Sequence, residues 1–243
     1  MQKKIKLLKE KFIFLKKGIN LDFKRIFDLI ENELQGEAHL DELAREKQDP
    51  FKILISTILS ARTRDTNTRE ATLQLFSKYK TPQEIANADI EHLEKLIYKA
   101  GFYKVKANRI KEVANILLEK FNGKVPDVFE KLISLPGVGA KTANCVLVYA
   151  FKIPAIPVDT HVHRISNRLG WVKTIKPEQT EKELKKLIPK NQWLRINRLF
   201  VRFGQEICIP NQPKCSDCPL NINCPKDFSM ELELKKRKIK GKI

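Results

Sequence analysis

The sequence lacks a long apolar run and any lipidation motif, which argues against a protein that spans a membrane or is anchored to one. It also lacks a secretory signal, because the apolar stretch at residues 12–15 is too short for a signal core and is bounded by lysines. Histidine is scarce, with 4 in the chain, and His161 and His163 are not spaced as metal ligands on one helical face. A histidine-based metal centre is therefore not expected.

Acidic residues are few relative to basic ones, with 29 Asp and Glu against 47 Lys and Arg, which gives a net charge of +18. Such an excess favours a polyanionic partner, and nucleic acid is the commonest of these. An anionic membrane surface is the alternative. The length of 243 residues can bury a core and permits one or two domains, and a hydrophobic content of 42% argues against wholesale disorder.

Cysteine is uncommon, and four of the 5 cysteines are crowded near the C-terminus with the spacing Cys208-x6-Cys215-x2-Cys218-x5-Cys224. Four thiolates this close together can surround one soft metal centre. The chemistry permits a zinc ion or a [4Fe-4S] cluster, and it favours a reducing compartment over a disulfide framework. The remaining cysteine, Cys145, lies on an apolar stretch and is expected in the core.

A proline and two glycines interrupt two apolar helical patterns in the middle of the chain. Pro136 breaks the first helix, and Gly137 and Gly139 each favour positive φ, so the segment predicts a tight hairpin. The backbone N–H groups of the hairpin and of the following helical turn can hold a phosphate. Lys141 falls in that first turn, where the helix dipole disfavours a cation, and is therefore a candidate functional residue. The alternative is a structural turn with a surface lysine.

The segment LPGVGAKTAN at residues 135–144, followed by VDTHVHR at residues 158–164, resembles the helix-hairpin-helix glycosylases. The resemblance is strongest to the endonuclease III family, whose members are DNA glycosylases with AP lyase activity. Over about residues 25–225 it implies an all-α fold of two helical lobes with the active cleft between them, a helix-hairpin-helix motif and a C-terminal [4Fe-4S] cluster loop. The cysteine spacing is similar to that of the family's cluster loop, which implies that the cluster ligands are Cys208, Cys215, Cys218 and Cys224.

The resemblance also divides the chain into domains, and the basic segments at its two ends are set apart by composition. The expected domains are a basic N-terminal extension at 1–20, a cluster-bearing helical domain at 21–45 and 152–225, a helical domain with the hairpin at 46–151, and a basic tail at 226–243.

Two residues carry the chemistry that the resemblance implies. Lys141 is the expected Schiff-base nucleophile. Asp159 precedes a helix that begins near Thr160, and we expect it both to cap that helix and to take part in catalysis. The hairpin residues Gly137, Val138 and Gly139 are expected to bind the DNA backbone.

Three further residues are expected to contact DNA. Arg62 follows the motif LSA at the end of a buried helix, where the family places a residue that fills the gap left by a flipped-out base. Residues 94–108 match residues 130–144 at a constant offset, which suggests a second, related hairpin, and Phe102 lies in its turn at the family's wedge position. His161 matches a residue near the active pocket. An ordinary basic surface for Arg62 and a core position for Phe102 are the alternatives.

The sequence thus predicts a bifunctional DNA glycosylase and AP lyase of base excision repair that removes oxidised pyrimidines and nicks the strand by β-elimination. Its expected partner is double-stranded DNA with damaged bases or abasic sites. We expect a monomer without membrane association, cytoplasmic and on the nucleoid if the source is prokaryotic. Two alternatives remain open at this point: a mismatch-specific thymine or adenine DNA glycosylase, and a noncatalytic helix-hairpin-helix DNA-binding module.

Overall fold

The computed structural model of the protein describes residues 21–35, 39–46 and 49–240. All the regular secondary structure in these ranges is helical. The all-α prediction is therefore confirmed, while the predicted N-terminal extension lies outside the described residues. The α-helices of these ranges, numbered α1 to α13 in chain order, are Phe23–Glu33, His39–Glu46, Pro50–Ser60, Asp65–Lys78, Pro82–Asn87, Ile90–Leu96, Tyr103–Phe121, Phe129–Ile133, Ala140–Phe151, Thr160–Arg168, Pro177–Leu187, Trp193–Glu206 and Ser229–Lys240. Two short 3₁₀-helices, Lys190–Gln192 and Cys215–Asp217, are also present. No described helix is both long and apolar enough to cross a membrane.

Local capping chemistry sets several of the helix starts. The Asp49 side chain accepts hydrogen bonds from the backbone N–H groups at the start of α3, with an N···O distance of 2.9 Å to Phe51, and Pro50 occupies the first turn. At α5, Thr81 and Glu84 form a reciprocal capping box. Asp49-Pro50 and Thr81-Pro82 predict helix starts in the sequence, because each pairs a capping side chain with a proline in the first turn, and both helices begin there.

The helical spacing of Phe23, Ile26, Phe27 and Ile30 predicts one helix over residues 21–45. The structure has two instead, α1 and α2, with the chain already extended at Leu34.

The chain divides into two compact units. The contiguous unit comprises residues 37–157, and α3 is its centre, with Ile53, Leu54 and Ile55 fully buried. Helices α2, α4, α7 and α9 pack on α3. Because α2 belongs with this unit, the units divide after residues 36 and 157, compared with the predicted divisions after 45 and 151.

The second unit joins residues 1–36 to residues 158–243. In it α12 packs on both α1 and α10, and α11 packs on α10. An aromatic cluster connects the N-terminal helix to the later part of the chain: the ring centroids of Phe23 and Trp171 are 5.1 Å apart, and those of Phe27 and Phe200 are 6.1 Å apart. Edge-to-face contacts of this kind stabilise the packing beyond the area that they bury.

The predicted basic tail begins as part of the folded second unit. The backbone N–H of Asp227 donates to the carbonyl oxygen of Arg168 at 3.0 Å, and Met230 is buried. In the first turn of α13, Glu231 forms an ion pair with the buried Arg168 guanidinium. These contacts attach residues 227–231, which lie in the predicted tail, to α10.

Candidate active site and cysteine loop

The hairpin between α8 and α9 has the predicted position, but its two glycines differ in conformation. Gly137 has φ of 74°, in the left-handed region that favours glycine, whereas Gly139 has φ of −95° and is extended. The expectation of positive φ is confirmed at Gly137 and is wrong at Gly139. Val138 is buried and its N–H donates to the carbonyl oxygen of Leu135 at 3.1 Å, so Val138 shapes the hairpin and does not offer its own amide.

The space around the two glycines also differs. A Cβ atom on Gly137 would lie 2.9 Å from Cδ of Arg109, while a Cβ on Gly139 would have no atom within 4 Å apart from its chain neighbours. Gly139 is the N-cap of α9 and supplies no capping side chain, and the first turn of α9 contains no acidic residue. The arrangement leaves an open approach to a helix N-terminus of positive potential, which suits an anion such as phosphate.

Alanine at each glycine is expected to separate folding from binding. Gly137→Ala places a side chain at positive φ and should cost about 1–2 kcal/mol of folding free energy. Gly139→Ala needs no change of backbone and should shift the unfolding free energy by less than about 1 kcal/mol. If Gly139 is small so that DNA can approach, its alanine variant should bind abasic duplex more weakly, measured by fluorescence anisotropy beside thermal unfolding. Unchanged binding by Gly139→Ala would contradict a close approach at this position.

Lys141 is the second residue of α9 and therefore lies in its first turn, as predicted. The nine residues that follow it, 142–150, are all buried, whereas Lys141 itself is half-buried at the edge of that core. A buried helix fixes the direction of a side chain that leaves its first turn, because neither the helix axis nor its rotation about that axis can change without repacking. The Lys141 side chain thus leaves the helix from a fixed backbone position beside the hairpin.

Asp159 is the N-cap of α10, as predicted. Its Oδ1 atom accepts hydrogen bonds from the backbone N–H groups of His161 at 2.9 Å and Val162 at 2.8 Å. The carboxylate is half-buried, and these two bonds hold it in place at the start of α10.

The same helix connects Asp159 to the cysteine loop through residues that the sequence did not identify. The Arg164 guanidinium donates to the carbonyl oxygens of Gly204 at 3.0 Å and Cys208 at 2.9 Å, and one of its nitrogens lies 3.2 Å from Nδ1 of His161. A Cβ on Gly204 would lie 2.4 Å from that Nδ1 atom, so α12 needs a glycine where His161 packs. Arg164 and Arg168 are four residues apart, a spacing that places both on one helical face and could have indicated a shared target.

Arg62 and Phe102, the predicted wedge residues, lie together in the contiguous unit. The Arg62 guanidinium carbon is 5.8 Å from the centroid of the Phe102 ring. Both side chains are exposed, Phe102 to 62%, which rules out a core position for that phenylalanine. Both residues also have left-handed backbone, with φ of 53° and 59°, a conformation that costs a side-chain-bearing residue about 1–2 kcal/mol. We call Arg62 and Phe102 the exposed pair.

The four C-terminal cysteines are half-buried and line one cavity, together with Arg168. Burial raises the pKa of Cys218 to about 11, and the nearby thiols of Cys224, Cys208 and Cys215 push it in the same direction. Thiolates this crowded need a cationic centre to be stable, which fits a soft metal or cluster. Within the described ranges, no group of three or more His, Cys, Asp or Glu side chains has the arrangement of a ligand set for a metal ion.

Arg168 forms hydrogen bonds to the start of the cysteine loop. It is 3% exposed, and its guanidinium donates to the carbonyl oxygens of Ile209 at 2.8 Å and Pro210 at 2.6 Å, and to Sγ of Cys208 at 3.4 Å. These bonds fix the start of the loop to α10. Cys145, by contrast, is fully buried in α9, which confirms its predicted place in the core.

Comparison with known proteins agrees with these features. Residues 55–190 match the family described as HhH-GPD superfamily base excision DNA repair protein. The chain is 51% identical over 214 residues to endonuclease III of Thermotoga maritima, a match that covers 84% of this chain and 97% of that protein. Among solved structures, a trapped endonuclease III–DNA covalent intermediate aligns with a TM-score of 0.72 and 34% identity over 88% of this chain and 99% of that one.

A thermostable thymine-DNA glycosylase aligns with the same TM-score of 0.72 but with 26% identity, over 84% of this chain and 95% of that one. The family match extends over more than half of the 243 residues, and the Thermotoga protein is matched over nearly its whole length. With the glycine hairpin, the lysine that follows it and the capping aspartate in place, the chain belongs to the endonuclease III family of the HhH-GPD superfamily.

Proposed function

We propose that this protein is a bifunctional DNA glycosylase and AP lyase that removes oxidised pyrimidines from duplex DNA and cuts the strand at the resulting site. The observation that carries the proposal is Lys141 in the first turn of a buried helix, directly after a hairpin open to phosphate. A DNA-binding module needs the hairpin but has no use for an amine held at that position. The likeness to an endonuclease III captured as a covalent intermediate with DNA supports a covalent mechanism.

Lys141 supplies the nucleophile in this proposal. Its neutral amine attacks C1′ of the damaged nucleotide, the glycosidic bond breaks, and the base leaves with the bonding electrons and takes up a proton. Ring opening then gives an imine between Nζ and C1′. Loss of a proton from C2′ expels the 3′-phosphate by β-elimination, and water releases the enzyme. The position at a helix N-terminus disfavours the ammonium form, which cannot attack.

Asp159 supplies negative charge. As the base departs, positive charge develops on the sugar, and a carboxylate with a fixed position stabilises it without having to reorganise. The cap bonds from His161 and Val162 hold Asp159 through Oδ1. The carboxylate is thereby positioned for charge stabilisation and for passing protons during ring opening.

DNA is held mainly through its backbone, as the net charge of +18 indicates. The hairpin at Gly137 and Gly139 binds phosphate without reading sequence. The exposed pair, Arg62 and Phe102, enters the duplex and fills the space that the flipped nucleotide leaves, which offsets part of the cost of unstacking. His161 follows Asp159 by two positions and completes the predicted DNA-contacting set.

We further propose that Cys208, Cys215, Cys218 and Cys224 hold a [4Fe-4S] cluster. The support is the set of four thiols that line one cavity and the guanidinium of Arg168 beside them. When bound, the cluster organises the loop that follows α12 and so contributes to folding of the second unit.

Metal analysis tests the cluster directly. Protein purified without oxygen should be yellow-brown and contain about four irons and four acid-labile sulfides per chain. Cys208→Ser should lower the iron content and the thermal stability together, because cluster binding is coupled to folding. Cys145→Ser is the matched control, since it changes a cysteine outside the loop and should keep the iron. One zinc per chain without sulfide would contradict the assignment.

A panel of duplexes tests the activity. The panel has four duplexes, which carry respectively an abasic site, an oxidised pyrimidine, a G·T mismatch and an adenine opposite 8-oxoguanine. Strand cutting is followed on denaturing gels. We expect cutting of the abasic and oxidised-pyrimidine duplexes and little reaction with the other two. Binding without cutting of the abasic duplex would identify a noncatalytic module, and a preference for the G·T duplex would identify a thymine glycosylase.

A further inference from the structure

Two neighbouring exposed residues with left-handed backbone are an unusual arrangement, because only glycine adopts that conformation without strain. Arg62 follows α3 and Phe102 precedes α7, so nothing in the local sequence holds the two together. Strained residues persist only where the surrounding structure fixes them. The buried contacts next to the exposed pair show which residues fix its backbone.

Lys106 lies directly under the exposed pair, in the first turn of α7, and is 3% exposed. Its Nζ atom donates three hydrogen bonds of 2.7 Å each, to the carbonyl oxygens of Leu59 and Ala61 and to Oγ1 of Thr63. Those acceptors are at the C-terminal end of α3 and in the loop that carries Arg62. A cation is favourable at the carbonyl end of a helix, where several carbonyl groups have no partner within the helix.

The charge state of Lys106 matches its acceptors. Burial, with a smaller effect from Arg109, lowers the pKa of Lys106 to about 8, so the ammonium form predominates at neutral pH. An ammonium group has three hydrogens and no acceptor. The three acceptors around Nζ therefore use all of its donors, and this match is the reason that a buried lysine is tolerated here.

Thr63 closes the connection between the two loops. Its Oγ1 atom accepts from Lys106 and also from the backbone N–H of Gly101 at 3.0 Å. A Cβ on Gly101 would lie 2.7 Å from the carbonyl oxygen of Arg62, so the two backbones touch where a side chain has no room. Thr63, which follows Arg62, and Gly101, which precedes Phe102, are thus bonded to each other.

We infer that Lys106 is a positioning residue for opening of the DNA duplex: its ammonium group joins the end of α3 to the start of α7 and holds Arg62 and Phe102 in the paired conformation that enters the stack. The inference rests on the proposed function, since it takes the exposed pair to enter the duplex. Lys106 itself is buried and contacts no DNA. Its effect should therefore appear in substrates that must be opened and not in substrates that are already open.

The test compares Lys106→Met with Lys111→Met. Methionine keeps most of the length and apolar volume of lysine but removes the charge and all three donors. Lys111 lies on the same helix, is half-buried and donates to the carbonyl oxygen of Ala88, away from the exposed pair, so it is the matched control. The readout is the ratio of cutting rates on a duplex with an oxidised pyrimidine and on a single-stranded abasic oligonucleotide. Opening is followed with 2-aminopurine placed beside the lesion.

Lys106→Met should reduce the duplex rate by about 10- to 100-fold and lower the 2-aminopurine signal, with the single-strand rate changed by less than about threefold. Lys111→Met should leave the ratio as in the unmodified protein. Thr63→Val removes the shared acceptor without burying a new charge, and it should lower the ratio in the same direction even if Lys106→Met folds poorly. An equal loss on both substrates, or no change in the ratio for either variant, would overturn the inference.

Arg62→Ala and Phe102→Ala distinguish a failure of the inference about Lys106 from a failure of the proposed function. If these variants lower the ratio while Lys106→Met and Thr63→Val do not, the exposed pair opens DNA and Lys106 has only a structural role. If Arg62→Ala and Phe102→Ala leave the ratio unchanged, the wedge assignment itself is wrong, and with it the basis of the inference.

Discussion

Replacement of Lys141 by glutamine is expected to abolish the covalent capture of DNA. Borohydride added during turnover reduces the imine between Nζ and C1′ to a stable amine, so the unmodified protein should become joined to a lesion-bearing strand. Peptide mapping should place the link at residue 141. Lys141→Gln should cut the strand at least about a thousandfold more slowly, because removal of a nucleophile leaves only positioning and electrostatic effects.

Binding by the same variant should be largely retained. Phosphate is held by backbone groups at the hairpin, which the substitution spares, and the residues that pack the helix begin only at position 142. Affinity for a duplex with an uncleavable abasic analogue, measured by anisotropy, should therefore fall by less than about tenfold. Lys152→Gln is the control, because it removes a lysine at the opposite end of the same helix. Trapping by Lys141→Gln at the normal rate would mean that another amine is the nucleophile.

Local chemistry made part of this fold predictable. Asp49-Pro50 and Thr81-Pro82 predict helix starts, because a capping side chain and a proline act within a few residues of each other. The central hairpin is predictable because a proline and two glycines also act over a short range. The prediction of positive φ is wrong for the second glycine, because Gly139 is extended and a Cβ there would meet no atom beyond its chain neighbours within 4 Å. A sequence does not show which glycine is required for its backbone conformation and which is required for the space beside it.

Features that depend on distant contacts were not predictable. The domain prediction places α2 with residues 152–225, whereas its packing on α3 and α9 groups it with residues 37–157, and no local sequence feature indicates that packing. Lys106 was one of 47 basic residues, and nothing in its neighbourhood of the chain indicates burial. Its acceptors are contributed by residues 59–63, more than forty positions earlier. The internal repeat did single out the turn that contains Phe102, but the contact of that ring with Arg62 required the structure.

Asp159→Asn is expected to slow base removal by about 100- to 1,000-fold while leaving the fold intact. Asparagine caps a helix about as well as aspartate, and its side-chain oxygen can keep the hydrogen bonds from the N–H groups of His161 and Val162. The start of α10 should therefore stay in place, and the thermal midpoint should shift by only a few degrees. What the substitution removes is the negative charge, so the loss of rate measures charge stabilisation and not capping.

The kind of substrate provides the internal comparison for Asp159→Asn. On a preformed abasic site the base is already gone, so no positive charge develops on the sugar through its departure, and cutting and borohydride trapping should suffer less than base removal. Asp159→Ala should show the same kinetic loss together with about 1 kcal/mol of lost stability, because it removes the cap as well as the charge. Single-turnover rates on both substrates, with calorimetry on both variants, separate the two roles. Base removal by Asp159→Asn at the normal rate would leave Asp159 as a helix cap alone, and the charge that the departing base requires would have to come from another residue.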